Sequence, residues 1–485
     1  MLVAAPLLVP LAVALLTALL HRRDRAQRVV SMAGGWVLLV SAVWLLVEVN
    51  GGGRLSLAVG DWPLPYAIEL AADRLSAAMV LMAAVLGVAV LFQQQSSADP
   101  AAESATLHPL IHGLLAGVAG ALLTADLFNL YVWLELMLIT ALGLLAYGGD
   151  RRHLEAAFKY LVLNLLGTLL LLAAVAFIYG VTGQLNFAAL KAVAAGPAAE
   201  ALPVYLALLI LALLLKSAAF PLFAWLTASY HTLPAPLLAL FGGLLTKVGV
   251  YAVLRLLGDV FTTSPTAFYQ ALGWIAALTM VVGVLGAAYH WDLRRILAFH
   301  IVSQIGYLLL GVALMSPAGA AATLYFTLHN ILAKSGLFLI AGLIWRLAGH
   351  YDLRRVGGLY AARSGLALLF LIAAFSLVGL PPTSGFWGKF LLVREAFSQT
   401  AYAWGGIALA TGFLTLYSMV KIWLEAFWKP HPDGRDLAAP VAGLAPAYGA
   451  VGLLAILTLA MGLVPEFFIA FCLAATAGFY SSGVP

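Results

Sequence analysis

The stretch LYVWLELMLI, residues 130–139, decides how this chain is read. Nine of its ten side chains are apolar or aromatic, and the tenth is a carboxylate, Glu135. A run of this kind forms a helix in an apolar medium, where the backbone must satisfy its own hydrogen bonds. An acid in the middle of it is costly there and needs a reason.

The rest of the chain repeats the pattern. Of 485 residues, 64% are hydrophobic and 9% are charged, and the mean hydropathy is +1.03. That composition predicts an all-α polytopic membrane protein. Fourteen apolar segments are expected, at 2–20, 29–48, 72–94, 106–124, 127–147, 158–181, 203–226, 236–257, 266–288, 295–314, 317–345, 365–397, 402–427 and 443–474. The first lacks a basic stretch ahead of it, so it reads as a retained helix and not as a signal peptide. The segment 365–397 is too long for one straight span, and GLPPTSG (379–385) breaks it.

Basic residues set the orientation. With the N-terminus outside, the inner loops hold Arg22, Arg23, Arg25, Arg28, Arg151, Arg152, Arg294, Arg295, Arg346, Arg354, Arg355, Arg363, Lys429 and Arg435. The outer side holds only Arg54, Arg74, Lys191 and Arg255. One inner loop, QQQSSADPAAESATLH (93–108), has no Lys or Arg. The sequence pI of about 9.2 therefore reflects inner loops, and no nucleic-acid partner is expected. The single cysteine, Cys472, excludes a disulfide framework and a cysteine-held metal cluster.

Six of the eight lysines fall within apolar segments or at their edges: Lys159, Lys216, Lys247, Lys334, Lys389 and Lys421. A lysine at mid-bilayer costs about 3 kcal/mol on insertion scales. Glu135 is the only acid clearly at mid-span, and one acid cannot neutralise that many cations. Several must be neutral or hydrated, which makes them usable proton carriers. Lys159 and Lys421 lie near helix ends, where snorkelling explains them equally well. His300 and His329 are either hydrogen-bonded core residues or carriers.

Prolines add a second signal. Pro221, Pro234 and Pro236 follow Lys216, and Pro381 and Pro382 precede Lys389. Paired broken helices in two halves point to an inverted-repeat transporter. Ordinary proline kinking is the plain alternative. TSGFWGKF (383–390) lacks the spacing of a phosphate loop. No dinucleotide fingerprint or paired haem ligands are seen, and no cofactor is expected.

Five motifs together resemble the D-type subunits of Mrp-type cation/proton antiporters: LFNLYVWLELMLI (127–139), LFGGLLTKVGVYAVLR (240–255), AFHIVSQIGYLLLG (298–311), GLPPTSGFWGKFLL (379–392) and YSMVKIWLEAFW (417–428). That family is homologous to the proton-pumping membrane subunits of complex I and membrane-bound hydrogenases. The resemblance implies fourteen helices, with helices 4–8 and 9–13 forming two inverted five-helix repeats and helices 7 and 12 broken. The implied division is 1–105, 106–258, 259–428 and 429–485. The resemblance also implies that Glu135 faces Lys216, that Lys247 follows, and that Lys389 closes the line, with His329 and Lys334 between the halves. His231, His300, Lys159 and Lys421 are possible accessory groups. The segment AWLTASYHTLPAP (224–236) has Thr227 where the family has proline, which leaves the helix break and the role of His231 open.

The expected function is that of a proton-translocating subunit of a multi-subunit Na+/H+ antiporter in a bacterial inner membrane, both termini outside. Its expected partners are the other antiporter subunits, Na+ (or K+ or Li+), H+ and the lipid bilayer. With one mid-span carboxylate, a sodium site built by this chain alone looks thin, since hard cations prefer oxygen ligands. The alternatives are a pump module of a complex I-type NADH:quinone oxidoreductase or membrane-bound hydrogenase, and a non-transporting scaffold.

Overall fold

The computed structural model describes residues 1–96, 105–194, 196, 202–262, 264–435 and 437–480. Part of the loop 93–108 thus lies outside the described residues. The chain is helical almost throughout, because apolar runs in a bilayer leave the backbone no other partner. In chain order the helices are α1 Ala5–Leu19, α2 Asp24–Gly52, α3 Arg74–Gln94, α4 Leu107–Leu123, α5 Leu127–Ala146, α6 Arg151–Thr182, α7 Phe187–Ala194, α8 Leu202–Lys216, α9 Ala224–Ser229, α10 Ala235–Leu240 and α11 Thr246–Arg255. There follow α12 Thr266–Tyr289, α13 Leu293–Ala313, α14 Pro317–Ala348, α15 Leu359–Ala362, α16 Ser364–Val378, α17 Ser384–Ser398, α18 Tyr402–Ile422, α19 Ala445–Leu463 and α20 Pro465–Thr476.

Each of the fourteen apolar segments falls on helix. Among the described residues, 11 helical stretches are long and apolar enough to cross a membrane, and α4, α8, α16 and α20 are shorter apolar helices. α10 and α11 belong to one stretch, Ala235–Val260, joined through a π turn at Phe241–Leu245. A hairpin that hydropathy does not announce joins α2 to α3: β1 Leu55–Ala58 pairs antiparallel with β2 Glu69–Ala72, Leu55 opposite Ala72.

Two spans are broken where the prolines stand. α8 ends at Lys216, and the chain passes through Ala218, at φ 58°, and Pro221 before α9. α16 ends at Val378, Gly379 takes φ 91°, and Pro381 and Pro382 precede α17. The carbonyls freed at these ends are taken by side chains. The Trp225 indole donates to Leu215 O at 2.9 Å, and Lys389 Nζ donates to Val378 O at 2.8 Å.

Burial sorts the helices. Ala235–Val260, α13, α14 and α3 are enclosed, whereas α1, α2, α6 and α18 keep large apolar side chains on the outside, such as Trp44, Phe158 and Phe413. α14 is the axis of the fold, packed against α3, α10, α13, α16, α17, α19 and α20. The enclosed helices carry Lys247, His300, His329 and Lys334, which places charge where apolar packing would be expected.

Candidate proton path

Lys216 is the last residue of α8, so its ammonium sits at the carbonyl end of a half-helix, where the helix dipole favours a cation. Its Nζ donates to Thr168 Oγ1 at 2.8 Å and to Asn164 O at 3.3 Å, both on α6. Glu135 on α5 lies within Coulombic reach of Lys216. It forms no ion pair with it within 4.0 Å, and its Oε2 is buried without a hydrogen-bond partner. Lys216 is therefore held by neutral groups on α6, with Glu135 acting on it only through its charge.

Lys247 is completely buried on α11. Its Nζ donates at 2.6 Å to Gly242 O, five residues earlier, in the π turn Phe241–Leu245. π turns widen a helix locally and recur at functional positions. Lys334 on α14 is also completely buried, with Leu297 O at 3.4 Å. It lies within Coulombic reach of both Lys247 and Lys389.

Lys389 on α17 reaches back across the second break to the end of α16, and its Nζ lies 4.9 Å from the Tyr307 ring centre. It is half-buried and lines a largely apolar cleft of about 260 Å³ with Phe386, Phe390, Phe413 and Leu416. The two broken spans thus treat their lysines differently. In the first the lysine ends the leading half-helix, and in the second it sits on the trailing half-helix and caps the leading one.

His329 is fully buried against the same break. Its Nδ1 lies 2.9 Å from Ser384 Oγ and 3.2 Å from Ser376 Oγ, and the two hydroxyls are 3.2 Å apart. Ser376 belongs to α16 and Ser384 to α17, so one imidazole bridges both halves of the broken span. His300 on α13 lies 2.9 Å from Ser418 Oγ through Nε2.

The accessory candidates separate from this line. Lys159 pairs with Glu155 at 2.6 Å on the exposed face of α6. Lys421 donates to Ala288 O and His290 O at 2.7 and 2.6 Å, closing the end of α12. His231 lies in the connection after α9, in a cleft of about 550 Å³ with Arg152, Glu155, Lys159, His290 and Arg295. Arg295 Nη2 approaches its Nε2 at 3.2 Å, and Nδ1 faces Thr227 O at 3.3 Å. A guanidinium can only donate, so Nε2 accepts and Nδ1 carries the hydrogen. Burial and then the charges of Arg295 and Arg294 push this histidine down to about 4, so it is neutral at physiological pH.

Sequence reasoning missed two residues. Gln304 and Asn330 are completely buried, and both amide atoms of each lack a hydrogen-bond partner. Asn330 stands one turn before Lys334 on α14. Gln304 stands one turn after His300 on α13, and Tyr307 follows on the same face. Unpaired amides in an interior are costly unless water meets them. A signal existed in the i, i+4 spacing to His300 and Lys334, but only with the charged residues already taken as a line. Among the described residues, no group of three or more His, Cys, Asp or Glu side chains is placed to hold a metal ion.

The family model described as NADH:quinone oxidoreductase/Mrp antiporter, transmembrane, matches residues 124–415. The chain is 39% identical to the D-type subunit of the Na+/H+ antiporter of Alkalihalophilus pseudofirmus, over 90% of this chain and 89% of that protein. It is 36% identical to the corresponding antiporter protein of Bacillus subtilis, over 91% of each. Among solved structures, a chain of the Mrp complex from Dietzia sp. superposes with a TM-score of 0.90 at 31% identity, covering 99% of this chain and 98% of that one. A chain of respiratory complex I from Thermus thermophilus superposes with a TM-score of 0.83 at 25% identity, covering 99% of each.

Proposed function

This chain belongs to the NADH:quinone oxidoreductase/Mrp antiporter transmembrane family, and we propose that it is the proton-carrying, D-type subunit of a multi-subunit Na+/H+ antiporter. It works as a transporter component driven by ion gradients, beside the other subunits of its complex, in the inner membrane of a bacterium. Both termini are placed on the outer side, an orientation that the excess of basic residues in the inner loops supports.

The observation that carries this reading is the line of buried lysines. Lys247 and Lys334 are completely enclosed and hydrogen-bonded only to backbone carbonyls, and Lys216 and Lys389 are held at broken helices. A structural ion pair would bring an acid to each of them. Here, among the described residues, none of the four lysines forms an ion pair, and the acid within Coulombic reach of Lys216 is Glu135. Such lysines can take up and release protons at modest cost, and a charge on one changes the next across a poorly screened interior.

Glu135 sets whether Lys216 keeps its proton. Approach of the carboxylate holds it, and separation passes it toward Lys247. Lys334 and His329 carry it between the two inverted repeats, 106–258 and 259–428, to Lys389. Na+ crosses with help from partner subunits or from carbonyls at the breaks.

The likeness to complex I supports a second reading, a redox-driven pump module, and one experiment separates the two. Everted vesicles carrying the complete complex are energised, and ΔpH is followed as Na+, K+ or Li+ is added. Cation-dependent dissipation in wild type, lost in Glu135→Ala with assembly intact, supports the antiporter. Vesicles that ignore every cation but acidify with an electron donor support the pump.

A further inference from the structure

Beyond Lys247, α11 carries a polar stripe that the buried line does not use. Lys247, Tyr251 and Arg255 follow one another at four-residue intervals on one face of α11, and Asp259 follows in the π turn Leu256–Val260 that continues it. At 1.5 Å per residue the stripe climbs about 12 Å from Lys247 to Arg255. Its contacts are specific. The Tyr251 hydroxyl donates to Leu122 O, a free carbonyl in the last turn of α4, at 2.7 Å, and accepts from Arg255 Nη2 at 3.3 Å. Arg255 grips Asp73 with both terminal nitrogens, at 2.5 and 2.7 Å, and reaches Asp259 at 3.4 Å. Asp259 in turn pairs with Lys191 at 3.0 Å.

Exposure rises along the stripe. The Arg255 side chain is 10% exposed, Asp73 29%, Asp259 35% and Lys191 43%. A cavity of about 190 Å³ follows them, lined by Tyr251, Arg255, Asp73, Asp259, Thr124 and Lys191. It reaches Tyr251, one helical turn from Lys247, and the two-pronged pair of Arg255 with Asp73 forms part of its wall.

We propose that this face of α11 is a proton path between Lys247 and the outer surface, and that the Arg255–Asp73 pair is its gate. The inference rests on the proton-carrying reading of Lys247 given above. Arginine keeps its proton, so Arg255 is a fixed charge and not a carrier. Closed, it repels protons and cations and occupies the Asp73 carboxylate. Open, it frees that carboxylate. A proton then leaves the Lys247 ammonium, breaking one N–H bond, and passes over water held at the Tyr251 and Thr124 hydroxyls. It forms one O–H bond on Asp73, which returns it to bulk water. The reverse order carries a proton inward.

The test uses the assembled complex with Cys472 replaced by alanine, so that introduced cysteines are the only thiols in this chain. A membrane-impermeant methanethiosulfonate is applied to right-side-out and to everted vesicles. Thr124→Cys, Tyr251→Cys and Val253→Cys, the last on another face of α11, are compared with and without Asp73→Asn. Thr124→Cys should label from the outside in both backgrounds. Tyr251→Cys should label slowly from the outside and at least tenfold faster with Asp73→Asn. Asp259→Asn should give an intermediate rate, Asp73→Glu should restore the slow one, and Val253→Cys should stay unlabelled. Tyr251→Cys that is inert from the outside in every assembled background, or that labels only from the inside, overturns the path. A Tyr251→Cys rate that Asp73→Asn leaves unchanged overturns the gate. Labelling reads access alone. Failure of cation-dependent ΔpH dissipation in the wild type would therefore strike the antiporter reading and leave the labelling result standing.

Discussion

The Lys389 ammonium donates a 2.8 Å hydrogen bond to the carbonyl of Val378, the last residue of the half-helix before it. A cation is thereby stored on the negative end of a helix dipole and not on an acid. A dipole is a weaker partner than a carboxylate, and a proton held this way can leave. In the first half the lysine also stands at a half-helix end, since Lys216 is the last residue of α8, but its ammonium donates to Thr168 and Asn164 on α6 and not to the carbonyls of α8.

Lys389→Met is expected to reduce cation-dependent ΔpH dissipation by at least about tenfold, equivalent to about 1.4 kcal/mol or more in the transport barrier. Assembly should survive, because loss of one hydrogen bond is offset by removal of an uncompensated charge. Initial rates in everted vesicles, normalised to the complex present, check this. A variant with wild-type rates would show that Lys389 carries nothing.

Thr168 supplies the hydroxyl closest to Lys216, at 2.8 Å. Thr168→Val removes it with little change of shape. A hydrogen bond to a charged group is worth about 1.5–3 kcal/mol, so a lowered melting temperature of the complex is expected. In a Lys216→Met background the same change should cost little, since the donor is gone. A double-mutant cycle measures that coupling, and strict additivity would mean that Thr168 does not hold Lys216.

Gly385 lets α17 touch α16: a Cβ there would lie 1.7 Å from Ser376 O and 2.9 Å from His329 Cε1. Gly385→Ala must push the half-helices apart, which overpacking precedents put at about 1–3 kcal/mol. It should also break the His329–Ser384 contact. Lowered thermal stability together with lost transport is expected. Unchanged melting and transport would show that the break tolerates separation.

His231 is neutral down to about 4. As pH falls from about 6.5, the ordinary histidine value, the unfolded chain takes up a proton that the folded chain refuses. This residue therefore costs stability progressively over that window. His231→Gln should make the complex more resistant to acid between about pH 6.5 and 4. The midpoint of the transport pH profile between pH 6 and 9 should stay in place. A shifted midpoint would make His231 a working carrier.

Much of the fold was legible because a bilayer leaves few options. Apolar runs became helices, and Pro221, Pro381 and Pro382 marked the two breaks. The lysines drew attention because each is expensive at its depth. What the sequence did not disclose was partnership. Thr168 and Asn164 hold Lys216 across about fifty residues of chain, Ser376 and Ser384 meet at His329 only because a helix folds back, and Asp73 joins Arg255 across 182 residues. Polar residues spread over remote helices carry no local pattern. That Glu135 faces Lys216 is what the family resemblance implies, whereas the α6 partners of Lys216, Thr168 and Asn164, had no such signal.

The most direct measurement concerns Lys334, which is completely buried and within Coulombic reach of both Lys247 and Lys389. Everted vesicles carrying the complex with Lys334→Ala are compared with wild type for Na+-dependent ΔpH dissipation, at equal amounts of assembled complex. If protons run along the buried line, dissipation is abolished while the complex remains intact. Dissipation at the wild-type rate in an assembled Lys334→Ala complex would contradict a path through the centre of this chain.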